Sequence, residues 1–151
     1  MKNLVKVSNL KYLPFTKIWD TAGQEKYRSI QKIFYKDANA AILVYDITRK
    51  ASYEEIQNYW IGQIKENAPK NIIPVLAANK SDMWEYEEVN MEAGKQLASS
   101  VNGLFFETSA KVGSGIDVEF NNIGNIFKRG FEISRPRLRY WQNSRWFSIQ
   151  C

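Results

Sequence analysis

Three short polar runs in this sequence each follow an apolar, strand-like run directly, and each holds residue types that can do chemistry at such a position. In Asp20-Thr21-Ala22-Gly23-Gln24-Glu25, a carboxylate fixed at a strand end can reach a hydrated Mg²⁺. The Gly23 amide can approach a terminal phosphate closely, and Gln24 beside it can orient a water. In Asn79-Lys80-Ser81-Asp82, the carboxylate can accept two parallel hydrogen bonds from the N1 and N2 donors of guanine, a pair that adenine lacks. Lys80 can lay its aliphatic stem along a base while Asn79 braces the loop. In Glu107-Thr108-Ser109-Ala110-Lys111, the small Ala110 leaves room for its backbone amide to meet the guanine O6. Each run taken singly has a blander reading: a turn closing a hairpin strand, a polar helix cap, a strand-to-helix loop.

The elements that must position these runs follow from the hydrophobic pattern. Runs rich in branched and aromatic residues predict strands at Leu4 to Val7, Phe15 to Trp19, Ala40 to Ile47, Asn71 to Ala78 and Leu104 to Glu107. Between them, Ile56, Trp60 and Ile64 recur at a spacing of four, which predicts a helix over Ser52 to Ala68 with Ser52 as N-cap and Glu55 completing a capping box. Ala93, Leu97 and Val101 share a face of a second helix, Asn90 to Val101, and Ile116, Phe120, Ile123 and Phe127 share one in the last. Strands alternating with helices of this length predict an α/β fold with a mainly parallel sheet, the first two strands forming an antiparallel hairpin. Ligands of such sheets sit beyond the carboxyl ends of the strands, where all three polar runs fall.

Order and spacing therefore say more than any one run. Together with Ile18-Trp19, Tyr27-Arg28-Ser29-Ile30 and Leu43-Val44-Tyr45-Asp46-Ile47-Thr48, the three runs make residues 3 to 130 resemble the Rab family of small GTPases in the Ras superfamily. The resemblance implies a Rossmann-like fold of the P-loop NTPase type and a guanine-nucleotide switch, binding GTP or GDP and hydrolysing GTP in vesicle-mediated intracellular protein transport. It implies that Asp20 helps hold Mg²⁺ through water, that Gly23 senses the γ-phosphate, and that Gln24 positions the hydrolytic water. It also implies that Asn79, Lys80 and Asp82 bind the base, with Ser109, Ala110 and Lys111 completing the pocket. The stretch from Gln24 to about Phe34 would be switch II. Trp19 and Phe34 match two of the three surface aromatics that Rab effectors read, so effectors and regulators are expected along Trp19 to Phe34.

The sequence departs from that family in one respect that bears on catalysis. No G-x-x-x-x-G-K-[ST] run occurs in it; Gly94-Lys95 has neither the upstream glycine nor the following hydroxyl. Aligned on the first run, Met1 falls near the start of the family's second strand, so the first strand, the phosphate loop, the first helix and switch I have no counterpart upstream. The phosphate loop supplies the amide cradle and lysine for the phosphates, so this chain alone is expected to be inactive as a GTPase. The alternative expectation is a non-catalytic, Rab-like interaction module that holds no nucleotide. The family's strand order would place the absent strand inside the sheet, between Phe15 to Trp19 and Ala40 to Ile47, leaving two open edges prone to pairing or aggregation.

Composition sets the outer bounds. The 151 residues, 44% hydrophobic and 25% charged, suit one ordinary domain with a core. The reading divides them into a partial GTPase domain, 1–131, and a tail, 132–151. No apolar run nears the roughly 20 residues that cross a bilayer, and the N-terminal residues lack a secretory signal pattern, so an intracellular, cytoplasmic location is expected. One cysteine, Cys151, and no histidine leave no internal disulfide or structural zinc site. Much of the net charge of +5 gathers in the tail, where Arg135, Arg137, Arg139 and Arg145 interleave with Tyr140, Trp141, Trp146 and Phe147. Such a tail could touch an acidic endomembrane face peripherally; nucleic acid is the weaker expectation, and an irregular end the blandest. It carries neither paired terminal cysteines nor a C-a-a-X box.

Overall fold

The computed structural model describes residues 4–5, 16–21, 35, 38–117, 121–125 and 145–150; of 4–5, 16–21 and 145–150 the backbone alone is described. Its organising element is β3, Ala38–Asp46. Along it Ala41, Leu43 and Tyr45 face one apolar cluster, and Ala40, Ile42 and Val44 face another, the period of two that a strand buried on both faces must show. β4, Ile73–Asn79, runs parallel beside it in register from Ala40↔Ile73 to Asp46↔Asn79. β5, Leu104–Glu107, adds a third parallel strand with Ala78 opposite Glu107.

One face is covered by a single helical run in three parts: α1, Lys50–Glu55; a π-helical turn, Ile56–Trp60; and α2, Ile61–Asn67. Ile56, Trp60 and Ile64 are all buried there, as their spacing predicts, and Ile61 joins them because the π turn spreads the apolar face. Burying such side chains contributes roughly 1.5–3 kcal/mol each. α3, Met91–Ser100, lies on the same face, with Ala98 buried and Ala93 and Leu97 packed on the cluster. On the opposite face Ile123, within helical backbone at 121–125, packs against Ile42, Val75 and Ala77. Phe120 and Phe127 of that predicted helix lie outside the described residues.

The predicted start of the first long helix is corrected. Arg49, not Ser52, is the N-cap residue, and it makes no side-chain cap. Ser52 sits within the first turn, donating its hydroxyl to the Arg49 carbonyl at 2.7 Å and accepting from the Asp46 amide at 3.0 Å. The exposed amide at the helix start is instead met by Glu88, whose carboxylate accepts from Lys50 N at 2.7 Å from 38 residues away. At α3 the cap is local: Asn90 Oδ1 accepts from Ala93 N at 2.9 Å.

The expected hairpin is present, β1 (Leu4–Val5) pairing antiparallel with β2 (Thr16–Thr21) through Leu4↔Trp19 and Val5↔Ile18. The open slot expected between β2 and β3 is not there. The C-terminal segment Arg145–Gln150 enters it as β6, parallel to both neighbours, with Thr16↔Arg145 through Thr21↔Gln150 on one side and Ala38↔Trp146 through Leu43↔Gln150 on the other. The sheet order is β1-β2-β6-β3-β4-β5, so the two edges that would have stood open are paired.

Candidate functional site

Because β2, β3, β4 and β5 are parallel, their carboxyl ends, Thr21, Asp46, Asn79 and Glu107, lie along one edge of the sheet. The two polar runs after β4 and β5 are joined there by their own hydrogen bonds. Asn79 Oδ1 accepts from the Ala110 amide at 3.1 Å, and Ser81 N donates to the Thr108 carbonyl at 3.1 Å. Ser109, fully buried, donates its hydroxyl to Asp82 Oδ1 at 2.5 Å and accepts from Val112 N at 3.3 Å. Lys111 Nζ stands 3.9 Å from Asp82 Oδ2. The loop closes by an antiparallel bridge from Ser109 to Ser114 and by Gly115 at φ 80°, where any Cβ would strike the Glu107 carbonyl.

Lys80 is the strained member. It adopts φ 67°, ψ 34°, a left-handed conformation costing a non-glycine residue roughly 1–2 kcal/mol. Two contacts hold it: its carbonyl accepts from Met83 N at 2.8 Å, and its ammonium meets Asp46 Oδ2 at 2.6 Å. Asp46 is itself set by an Asx turn, Oδ1 accepting from Thr48 N at 2.9 Å and Thr48 Oγ1 at 2.7 Å. After Lys80 a short 3-10 helix, Ser81–Tyr86, kinks at Met83 and carries Asp82 in its first turn.

The electrostatics keep both carboxylates charged. Burial alone would raise Asp46, but hydrogen bonds from Lys80 and Thr48 and the Lys80 charge hold it below the ordinary carboxylate range. Asp82 is held low chiefly by the Ser109 hydroxyl, with its backbone, Lys111 and Lys80 adding to the effect. An ionised carboxylate at the rim of a crevice, with its side-chain neighbours fixed, is an acceptor for a paired N–H donor edge. The Ala110 amide, expected to meet a base carbonyl, donates to Asn79 here, so a base would share or replace that bond.

Six of the sequence-predicted residues, Asn79, Lys80, Asp82, Ser109, Ala110 and Lys111, are thus brought together. Asp20 lies on β2, one residue from its carboxyl end, and so at the same edge; its side chain is not among those described. Gly23, Gln24 and the segment to Phe34 lie outside the described residues. Sequence reading missed Asp46 as the partner of Lys80, although an aspartate closing a strand with a threonine two residues on is a recognisable Asx-turn signal. It also missed Glu88, which no local pattern could have found. Among the described residues no group of three histidine, cysteine or acidic side chains could hold a metal ion. Asp46 and Asp82 are not free for Mg²⁺, since their oxygens already face Lys80, Thr48, Ser109 and Lys111; the side chain of Asp20, the residue expected to reach the ion through water, is not among those described.

Comparison with known proteins places this geometry. The Ras family model matches residues 6–129. The chain is 45% identical over 123 residues to the Ras-related protein Rab-17 of Mus musculus, covering 80% of this chain and 58% of that protein. It is 42% identical over 117 residues to Rab-26 of Drosophila melanogaster, covering 76% and 30% respectively, and 42% identical over 106 residues to Rab-11A of Dictyostelium discoideum, covering 70% and 49%. The chain thus spans between about a third and three fifths of these relatives' lengths. With the fold, the motifs and these matches in agreement, the chain belongs to the Ras family and, within it, to the Rab-type small GTPases.

Proposed function

We propose that the chain recognises the guanine base of GDP or GTP through Asp82, as the nucleotide-reading part of a Rab-type switch in vesicle-mediated protein transport. The observation that carries this reading is the joined pair of loops after β4 and β5. Asp82 is ionised and braced by Ser109, Asn79 is braced on Ala110, and Lys80 is fixed over Asp46. Guanine would offer its N1–H and N2–H to the Asp82 carboxylate, with the Lys80 stem against the ring and Lys111 and Ala110 at the far side. The family reading adds Gly23 at the γ-phosphate, Gln24 at the attacking water, and Asp20 toward Mg²⁺ through water, an ion that supplies charge neutralisation at the phosphates when bound. Hydrolysis, effector and regulator binding along Trp19 to Phe34, and peripheral contact of a cytoplasmic protein with endomembranes belong to the same proposal.

A second reading is favoured by the sheet itself. Its interior is completed by Arg145–Gln150 rather than by a strand leading into a phosphate-loop sequence, which suits a domain that folds and presents a partner surface without nucleotide. Titration of the purified chain with a fluorescent GDP analogue and Mg²⁺, competed by GDP, GMP and ATP, separates the two. Displacement by GDP and not ATP supports the first; no binding supports the second. Within the first reading, Asp82→Asn should weaken GDP by about 1.5–3 kcal/mol, roughly 10- to 150-fold, and shift preference toward xanthosine diphosphate. Equal binding of both bases by that variant would end the pocket assignment.

A further inference from the structure

The strand order β1-β2-β6-β3-β4-β5 makes β6 the single sheet connection, among the described residues, between the pair β1–β2 and the trio β3–β5. The trio carries Asp46 and Asn79 directly, and Lys80, Asp82, Ser109 and Lys111 lie in the loops after its strands, whereas the pair carries Asp20. We propose that Arg145–Gln150 is a clasp strand: a C-terminal segment whose insertion sets Asp20 beside the base-reading loops and whose withdrawal uncouples the two halves of the site.

Three observations carry this. First, the register is continuous on both sides: six consecutive residue pairs to β2, and five to β3 interrupted only by one irregularity between Ala38 and Ala40. Second, the pairing reaches the functional edge, since Asp20 lies opposite Ile149 and Thr21 opposite Gln150, while Gln150 also pairs with Leu43, three residues before Asp46. Third, among the described side chains the two loops are also tied to each other directly, through Asp46–Lys80, Asp82–Ser109 and the Ala110 amide on Asn79. The described sheet route from Asp20 to these loops runs through β6, whereas the loops share side-chain contacts of their own. The same segment cannot serve as a strand and as a free basic tail at once, so contact of Arg145, Trp146 and Phe147 with a membrane or partner would require the clasp to open. The link to nucleotide rests on the reading given under Proposed function; the clasp itself does not.

Hydrogen exchange of the full chain without nucleotide tests the clasp. In the native chain the amides of Thr16–Thr21 and Arg145–Gln150 should be protected together. In Ser148→Pro, which removes a donor from an interior strand, Thr16–Thr21 should lose protection at least 100-fold while Ile73–Asn79 stays within 10-fold. Retained protection of Thr16–Thr21, or equal loss in both halves, would overturn the proposal. Because the proline variant can fail to fold, a second full-length variant tests the register directly: Ala41→Cys with Ser148→Cys in a Cys151→Ser background. An intramolecular disulfide under mild oxidation supports the clasp, and a purely intermolecular one or none overturns it. Applied to the fluorescent GDP analogue, the disulfide variant should bind at least as tightly as the parent and Ser148→Pro at least 10-fold more weakly. If neither parent nor variants bind nucleotide while the exchange pattern is as stated, the clasp stands and the nucleotide reading falls.

Discussion

From Ala38 to Lys111 one continuous stretch of chain builds three parallel strands, the helices that cover one face and a set of side-chain contacts joining two loops. β1 and β2, by contrast, reach the rest of the sheet, among the described residues, through a strand drawn from the far end of the sequence. The first region is fixed by short-range packing and by named polar pairs; the second by a backbone ladder on either side of β6. The difference separates two kinds of dependence: substitutions in the trio should be felt through packing, and substitutions in β6 through register.

Leu76→Ala should have the largest effect. Leu76 is fully buried in the middle strand, opposite Leu43 on one side and Phe105 on the other, and truncation leaves a cavity worth about 2–5 kcal/mol. Urea unfolding should show that loss; a change below 1 kcal/mol would mean that the trio is not the stable half. Asn90→Ala should cost about 1 kcal/mol by leaving the Ala93 amide without its cap, with faster hydrogen exchange confined to the first turn of α3.

Asp46→Asn bears on acid sensitivity. Both Asp46 and Asp82 are held below their ordinary values in the folded state. They therefore contribute stability that is complete above roughly pH 4 and is lost as pH falls through their folded values. Asp46→Asn should cost about 1 kcal/mol or less at pH 7, given partial solvent screening, and should flatten the acid limb measured by urea midpoints from pH 7 to 2. An unchanged limb would remove the Lys80 pair from the ledger of that region. The smallest effect is expected from Tyr45→Phe. The Tyr45 hydroxyl is buried with no hydrogen-bond partner among the described residues, and burial pushes its pKa up, so its removal should be neutral or slightly stabilising.

The trio was the legible part of the sequence. Its strands follow from runs such as Ala40 to Ile47, and Ile56, Trp60 and Ile64 announce their buried face by spacing alone. The two polar loops after β4 and β5 were legible because their polar side chains lie in consecutive residues. Contacts that cross the chain were not: Glu88 on Lys50 N, Asp46 on Lys80, and above all β6. Arg145-Trp146-Phe147-Ser148-Ile149-Gln150 does hold three good strand formers. Its arginine and the basic, aromatic residues before it point to a surface tail, and nothing local indicates that a six-residue run will pair with segments more than a hundred residues away. The helix start failed for a related reason, since Ser52 with Glu55 satisfies a capping pattern while the chain places an earlier residue at the cap.

The order of synthesis gives the interior strand a further meaning. β6 follows every other described element in the chain, yet it lies between β2 and β3, the former roughly 130 residues earlier. Until β6 is available, the hairpin and the trio can form but cannot be joined through it, and each keeps an unpaired strand edge. Closure of the sheet should therefore be slow for the domain's size, with mispairing most favoured while β2 and β3 await β6.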